Sequence, residues 1–162
     1  MKSVFLQRAI DLAVAAHRDA EDPPGEPYIL HPMRVMLRFP ATQPLLQAVA
    51  ILHDTMERAG LTAEDLREAR LPHAVIKAVV RLTHEKGTPY ADYVVRLAKN
   101  PLARAVKMAD LADNADLRHV DFPHKKPRKG TRRVVRYVLS HQFLTGRLSE
   151  HDYRRLMKEA EN

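Results

Sequence analysis

The chain has 162 residues, enough for one domain with a hydrophobic core but too few for two of ordinary size. It contains no cysteine, which excludes disulfides and thiolate metal sites, so any metal must be held by imidazole, carboxylate or water. No apolar run approaches the ~18 residues that span a bilayer, and the amino terminus lacks a signal-peptide pattern, so we expect a soluble, cytoplasmic protein.

The positive charge of the chain is concentrated in one segment, residues 118–136. Eight of the 27 Lys and Arg residues fall there against a single acid, so this segment accounts for the whole net charge of +7. Such a segment attracts phosphate groups on a nucleotide, a nucleic acid or a membrane surface. A solvated basic loop that binds no ligand is the alternative.

The amino-terminal part of the chain has an amphipathic pattern. Apolar residues recur there at helical spacing and predict a helix over about residues 4–19, with Ser3 as its N-cap. His17 falls on the apolar face of this helix. A lone histidine in that position is more often a hydrogen-bonded core residue than a metal ligand.

A loop and a second helix follow. Residues 21–27 contain three prolines and a glycine, which break any helix. The next helix is expected from Pro32, whose fixed φ suits a first helical turn, to about Phe39. His31 then lies at the helix entrance, where its ring can face inward while the backbone stays solvated. An N-cap or turn histidine is the alternative.

The apolar run of residues 48–57 lies in a predicted central helix that begins at Pro44. His53 and Asp54 interrupt its apolar pattern, and Glu57 follows one turn later, so the three side chains border one patch of the helix surface. Burying a histidine and an aspartate is costly unless they are paired or bound to a metal. A second pair, His151-Asp152, lies in a polar setting and is typical of an ordinary helix start.

Four more helices are predicted between the central helix and the basic segment. Thr62 and Asp65 resemble a capping box that begins the first helix, and the other three begin at prolines. Their ranges are about 62–70, 72 to near 87, 89–97 and 101–117. The core stripe of the last one consists of Leu102, Ala105, Val106, Ala109 and Leu117. Asp110 and Asn114 lie beside this stripe, four residues apart, and so share one helix face.

The carboxy-terminal part contains a predicted basic loop at about 119–130, which holds two prolines and a glycine. Helices at about 131–144 and 150–160 are expected to follow. No run alternates convincingly between apolar and polar residues, so no strand is predicted. We therefore expect an all-α fold with a single domain over residues 1–162.

Five short segments of the sequence form an ordered set. They are Ala16-His17, Gly25–Pro32, Leu52–Glu57, Leu82-Thr83 and Lys107–Asn114. Taken together they resemble the HD-superfamily hydrolases, and more narrowly the small alarmone hydrolases and the hydrolase half of RelA/SpoT proteins. The match runs in register over roughly residues 9–118 and is more specific than any one segment.

The resemblance implies a compact multi-helix HD-domain fold and one divalent metal. In the family that metal is usually manganese, and the residues that match its ligands are His31, His53, Asp54 and Asp110. The family reaction removes the 3′-pyrophosphate of (p)ppGpp, with a metal-activated water attacking phosphorus. By position, Glu57 is the carboxylate that directs this water.

The resemblance also implies a nucleoside polyphosphate as the binding partner. The residues that match family contacts to the nucleotide are Asn114, Arg133, Tyr137 and Tyr28. Arginine binds phosphate through two parallel hydrogen bonds, and tyrosine can stack or donate a hydrogen bond. The basic segment would then attract a substrate that carries several negative charges.

Two positions depart from the family pattern. The usual Glu-Asp pair is Glu57-Arg58 here, so one acid near the attacking water is missing, and Arg58 would either bind a substrate phosphate or slow hydrolysis. The family's Arg-Lys pair, which packs on the purine, falls on Asp22-Pro23, which supplies no cationic stacking plane. The base, guanine or adenine, is therefore left open.

Two other functions are compatible with the sequence. The same metal site could serve a nucleotidase or an NADPH phosphatase with a different substrate. Alternatively, the chain could be a catalytically weak HD-fold protein that binds nucleotide or RNA through its basic segment. Only Phe122 and Tyr137 interleave that segment with aromatic rings, which disfavours stacking on single-stranded nucleic acid.

Overall fold

A computed structural model describes residues 4–22, 25–116, 118 and 127–161. These ranges form ten helices: α1 Val4–Ala16, α2 Leu30–Leu37, α3 Pro44–Leu52, α4 Thr55–Ala59, α5 Ala63–Glu68, α6 His73–Leu82, α7 Tyr90–Ala98, α8 Pro101–Asn114, α9 Pro127–Leu144 and α10 Glu150–Glu161. Within them the only β contact is an isolated bridge between Glu21 and Pro27. The all-α prediction is confirmed.

The core of the protein is built around α3. Residues 48–52 of this helix have no exposed surface, because α1, α2, α6 and α8 pack around it. A helix that is apolar on every side must be buried on every side. Burying Ile51 and Leu52 contributes about 1.5–3 kcal/mol for each side chain.

The central helix does not run through His53 and Asp54, so the prediction of one continuous helix over residues 48–57 was wrong. α3 ends at Leu52 and α4 begins at Thr55. Two side chains donate hydrogen bonds to carbonyls in the last turn of α3. His53 Nδ1 donates to the Ala50 carbonyl, and the Thr55 hydroxyl donates to the Leu52 carbonyl, both at 2.8 Å. Such side-chain donors compete with the backbone ladder.

Other helix boundaries differ from the prediction by a few residues. α1 ends at Ala16 rather than near 19, and α6 ends at Leu82 rather than near 87. Thr83 has an extended backbone, and its hydroxyl donates to the Val79 carbonyl at 3.0 Å, which ends α6. α9 begins at Pro127 rather than near 131, because a proline lacks the N–H that a first helical turn leaves unpaired.

Several sequence predictions fall outside the described residues. They are the Ser3 cap, the core position of Leu117, the Pro23 half of the Asp22-Pro23 pair, and the part of the basic loop at residues 119–126 with Phe122. The remaining loop residues, 127–130, belong to α9.

Capping interactions mark the starts of α5 and α8. The Thr62 hydroxyl accepts a hydrogen bond from the Asp65 backbone N–H at 3.2 Å, and the Asp65 carboxylate accepts one from the Thr62 backbone N–H at 2.7 Å. This reciprocal pair is the predicted capping box of α5. The Asn100 side chain caps α8 in a similar way by accepting from the Ala103 N–H at 3.0 Å.

The buried face of α8 includes only part of the predicted stripe. Val106 is buried, and Leu102 and Ala109 are half-buried and pack against the core. Ala103, Asp110, Leu111 and Asp113, which the stripe does not contain, are also buried. α8 packs against α2, α3, α6, α7 and α9, so its covered surface is wider than a single apolar stripe. As a result, Asp110 belongs to the buried face instead of lying beside it.

The last two helices form a hairpin that packs on the rest of the bundle. Phe143 of α9 stacks on Tyr153 of α10 with ring centroids 4.7 Å apart, and the Tyr153 hydroxyl is 2.9 Å from the buried Ser140 hydroxyl. Contacts of α9 with α7 and α8 hold this helix over the end of the bundle where His31 and His53 lie. Among the described helices, none combines the length and apolarity that a bilayer crossing requires.

Candidate functional site

Four side chains that are distant in the sequence meet at one end of the bundle. His31 Nε2 lies 3.3 Å from Asp110 Oδ1, and His53 Nε2 lies 3.7 Å from the same oxygen. Asp54 Oδ1 is 3.4 Å from His53 Nε2. Ligand atoms of the two histidines and Asp54 all lie within 4.8 Å of one another, a spacing that one cation can bridge. The four side chains are close together, as the sequence predicts. That they bind a metal stays a prediction.

Hydrogen bonds at Nδ1 hold both imidazole rings in this orientation. His53 Nδ1 donates to the Ala50 carbonyl at 2.8 Å, and His31 Nδ1 lies 2.9 Å from Asp113 Oδ2. Because a carbonyl only accepts, the hydrogen of a neutral His53 is on Nδ1 and its Nε2 carries the lone pair. Metal-binding histidines commonly have such a partner on the second nitrogen.

The residues present fit a divalent cation. His53 Nε2 is buried and makes no hydrogen bond with any described residue. A buried imidazole nitrogen without a hydrogen-bond partner, 3.4 Å and 3.7 Å from two carboxylate oxygens, is costly unless it binds a proton or a metal cation. Two imidazoles and two carboxylates form a donor set that manganese or another borderline divalent metal accepts.

The electrostatics of the cluster favour binding of positive charge. Burial alone would lower the pKa of His53, but Asp54 and Asp110 raise it to about 10. Burial would likewise raise the pKa of Asp110, yet Lys107 and the two histidines hold it well below its ordinary range. The carboxylates are therefore ionised and attract cations, either protons on the imidazoles or a metal.

Asp54 has two further partners on its second oxygen. The Tyr28 hydroxyl donates to Asp54 Oδ2, and Arg58 Nε lies 3.5 Å from the same oxygen. The Arg58 guanidinium also covers the Tyr28 ring, 4.1 Å from its centroid. Burial and the Asp54 carboxylate raise the pKa of Tyr28, so its hydroxyl stays a donor. Tyr28 thus orients Asp54, and its predicted contact with substrate remains untested.

Glu57 lies on α4, beyond the break in the central helix. Its side chain is exposed, and Glu57 Oε2 accepts a hydrogen bond from the His84 backbone N–H at 3.2 Å. This bond anchors one carboxylate oxygen at the rim of a cavity that both residues line. The second oxygen has no partner among the described residues and can accept a hydrogen bond from a water molecule.

The cavity beside the cluster has a volume of about 370 Å³. Every predicted site residue except the fully covered His53 lines it: Tyr28, His31, Asp54, Glu57, Arg58, Asp110, Asn114, Arg133 and Tyr137. Asp22 also lines it, in the region where the resemblance places a basic pair. This volume lies within the range of small-molecule sites, and the lining carries both acids and cations.

Among the lining residues that the sequence prediction did not name, Lys107 and Asp113 contact the cluster directly. They lie three residues before and three residues after Asp110 on α8, so they project close to it. Asp113 is buried and pairs with His31, while Arg34 Nε lies 3.1 Å from its Oδ2. Both residues lie inside the Lys107–Asn114 motif, and their spacing of three residues from Asp110 was the signal that could have identified them.

His17 is buried, as predicted, but the expected hydrogen bond is not found. Only 2% of its surface is exposed, and neither ring nitrogen has a hydrogen-bond partner among the described residues. The ring packs edge-on against Tyr28, with centroids 5.0 Å apart, and burial lowers its pKa. His17 is therefore a neutral packing residue behind the cluster.

Asp113→Asn is expected to weaken metal binding about 10- to 100-fold, because the amide no longer carries the charge that orients His31. Metal titration by calorimetry measures the effect. Asp92→Asn, which removes an exposed carboxylate paired with Arg154, is the control. Equal affinity of Asp113→Asn and the wild-type protein would show that Asp113 does not support the site.

No family model matches the chain. The chain is 30% identical over 118 residues to guanosine-3′,5′-bis(diphosphate) 3′-pyrophosphohydrolase of Aquifex aeolicus (strain VF5), covering 67% of this chain and 17% of that protein. It is 29% identical over 135 residues to a probable GTP pyrophosphokinase of Mycobacterium leprae (strain TN), covering 77% and 17%.

A further relative is the GTP pyrophosphokinase of Streptomyces coelicolor (strain ATCC BAA-471 / A3(2) / M145), at 30% identity over 119 residues, covering 67% of this chain and 14% of that protein. The chain thus spans 14–17% of the length of these curated relatives.

The structural comparison finds a solved structure described as a metazoan ortholog of SpoT that hydrolyses ppGpp and plays a role in starvation responses. It superposes with a TM-score of 0.69 at 21% identity and covers 99% of this chain and 95% of that one. The resemblance to HD-type alarmone hydrolases is confirmed. At this identity the superposition shows that the two chains share an all-α fold, and the roles of individual residues stay predictions.

Proposed function

We propose that this chain is a metal-dependent hydrolase that removes the 3′-pyrophosphate from (p)ppGpp-like alarmone nucleotides. The observation that carries the proposal is the cluster in which both imidazoles lie near Asp110 Oδ1 and Asp54 lies near His53, next to a cavity whose lining includes several cations. The whole chain would act as one HD-type domain, and its cytoplasmic location stays a prediction.

The proposed metal is manganese, held by His31, His53, Asp54 and Asp110. A divalent metal in that position would acidify a water molecule and polarise a phosphoryl oxygen. The nitrogen and oxygen donors of these four residues suit manganese, since no thiolate is available to favour a softer ion.

Glu57 has the role of a general base. Its free carboxylate oxygen faces the cavity and accepts a proton from the attacking water, while its other oxygen is held by the His84 N–H. The water oxygen forms a bond to the phosphorus on O3′, the P–O3′ bond breaks, and O3′ receives a proton. The products are pyrophosphate and the nucleotide with a free 3′-hydroxyl.

The substrate phosphates are bound by cations that line the cavity. Arg34 and Arg58 line it on one side, and Arg133 and Arg136 of α9 line it on the other. Tyr137 lies one helical turn after Arg133 and lines the same cavity, where it can pack on the nucleoside. The second acid of the usual Glu-Asp pair is missing, and Arg58 in its place contributes a phosphate-binding charge.

Asp22 supports a second candidate function, a nucleotidase or NADPH phosphatase with a different nucleotide. It places a carboxylate in the cavity where alarmone hydrolases of this family carry a basic residue. An acid cannot stack on the purine as a guanidinium does, so the base is held differently here. Both candidates keep the same metal cluster and the same general base.

One assay separates these functions. Manganese-loaded protein is incubated with ppGpp, pppGpp, ppApp and NADPH, and pyrophosphate and phosphate release are quantified. The proposal expects pyrophosphate from the 3′-pyrophosphorylated nucleotides and no phosphate from NADPH. Phosphate release from NADPH alone would favour the second candidate. No hydrolysis together with salt-sensitive retention of RNA would favour a binding protein.

A further inference from the structure

Lys107 is a cation of the cavity to which neither the sequence nor the proposed mechanism assigns a role. It lies on α8, and only 14% of its side chain is exposed. Its Nζ donates to Asp110 Oδ2 at 2.8 Å, whereas Asp110 Oδ1 is the oxygen that faces His31 and His53. The ammonium group therefore adjoins the metal cluster without occupying the position where the ligand atoms converge.

Aromatic rings enclose another side of this ammonium group. Lys107 Nζ lies 5.5 Å from the centroid of Tyr93 and 5.9 Å from the centroid of Tyr90. An ammonium group has three N–H donors, and Asp110 is its only hydrogen-bond acceptor among the described residues. Because Lys107 lines the cavity, its remaining donors can reach a group bound there.

The ammonium group of Lys107 and the carboxylate of Asp110 form a largely buried ion pair, with Nζ 2.8 Å from Oδ2. When a divalent cation joins Asp54 and Asp110, the two negative charges of these carboxylates are balanced by the metal. The positive charge of Lys107 then has no counter-ion left within the cluster, which favours an anion next to it.

We propose that Lys107 is a catalytic residue that donates a hydrogen bond to a non-bridging oxygen of the phosphoryl group being attacked. The proposal rests on the hydrolase function given above. Charge spreads over the non-bridging oxygens as the bond to O3′ breaks, and a fixed ammonium group in a partly dry cavity stabilises it. A compact ammonium suits this position, because its donors rotate freely towards one oxygen.

The test compares Lys107→Met with the wild-type protein, and Lys99→Met, an exposed lysine after α7, is the control. We expect kcat to fall about 100-fold with less than a threefold change in KM, while one metal ion per chain stays bound. Lys107→Arg, which keeps the charge, should recover part of the loss. Unchanged kcat in metal-loaded Lys107→Met would overturn the proposal, since a purely structural residue would lower only the melting temperature or the metal content.

A binding experiment keeps this test independent of turnover. Inorganic pyrophosphate is titrated into manganese-loaded wild-type, Lys107→Met and Lys107→Arg protein by calorimetry, after circular dichroism has confirmed folding. Loss of the ammonium should weaken pyrophosphate binding at least about tenfold, as expected for a hydrogen bond to a charged group. Equal affinities would overturn the role of Lys107. If no nucleotide is hydrolysed, the proposed function fails, and this titration still tests whether Lys107 binds phosphate. If Lys107→Met does not fold, the comparison of Lys107→Arg with the wild-type protein provides the test.

Discussion

Replacing His53 by alanine is expected to remove the bound metal and to abolish pyrophosphate release. The imidazole Nε2 of His53 is buried 3.4 Å and 3.7 Å from the carboxylates of Asp54 and Asp110 and has no other partner among the described residues. Without it, three ligands are left, so both occupancy and turnover should fall below detection. Metal content by mass spectrometry and pyrophosphate release are the two measurements.

The second His-Asp pair of the chain offers a matched control. His151 precedes an aspartate in the same way but is exposed on α10, so His151→Ala should keep wild-type metal content and activity. Asp54→Ala is a second test that leaves a smaller hole in the core, because Asp54 is only half-buried. A His53→Ala protein that folds and still binds one metal with normal turnover would contradict the four-ligand site.

Replacing Glu57 by glutamine is expected to separate metal binding from chemistry. Glutamine has the same shape and can still accept the hydrogen bond from the His84 N–H, but it cannot take a proton from water. Turnover should fall by about 10²- to 10⁴-fold, the usual contribution of a general base, while the metal content stays at one per chain. Steady-state kinetics and metal analysis of the same preparation provide the measurement.

Glu64→Gln is the control for this substitution. Glu64 is also exposed, and its side chain pairs with Arg67, one turn away on α5, so its loss should change stability by less than ~1 kcal/mol and leave turnover intact. If Glu57→Gln turns over as fast as the wild-type protein, then another group accepts the proton and the assignment of the base is wrong.

The helices could be predicted because their ends depend on local chemistry. Prolines at positions 44 and 101 lie in the first turns of α3 and α8, and the Thr62–Asp65 box begins α5. The break at His53-Asp54 could not be predicted in this way. It depends on side-chain hydrogen bonds to carbonyls of the preceding turn, and these form only when the surrounding helices exclude water.

The site was predictable to the extent that its residues lie in motifs. The four candidate ligands and Glu57 follow from the resemblance, and the structure brings their side chains to one end of the bundle. Lys107 and Asp113 lie inside the Lys107–Asn114 motif, but no role was predicted for them. Their role depends on which side of α8 faces α2 and α3. Because α8 is packed on several sides, its sequence pattern does not indicate that side.

The sequence by itself determined the residue chemistry: a cysteine-free set of histidines and carboxylates, a helical pattern throughout, and a basic segment that carries the net charge. Only the tertiary structure decided that Nε2 of two histidines and one oxygen of Asp110 converge, while the other oxygen pairs with Lys107. The physical reason is that short-range spacing specifies which residues share a helix face. Packing of α2, α3 and α8 specifies which faces meet.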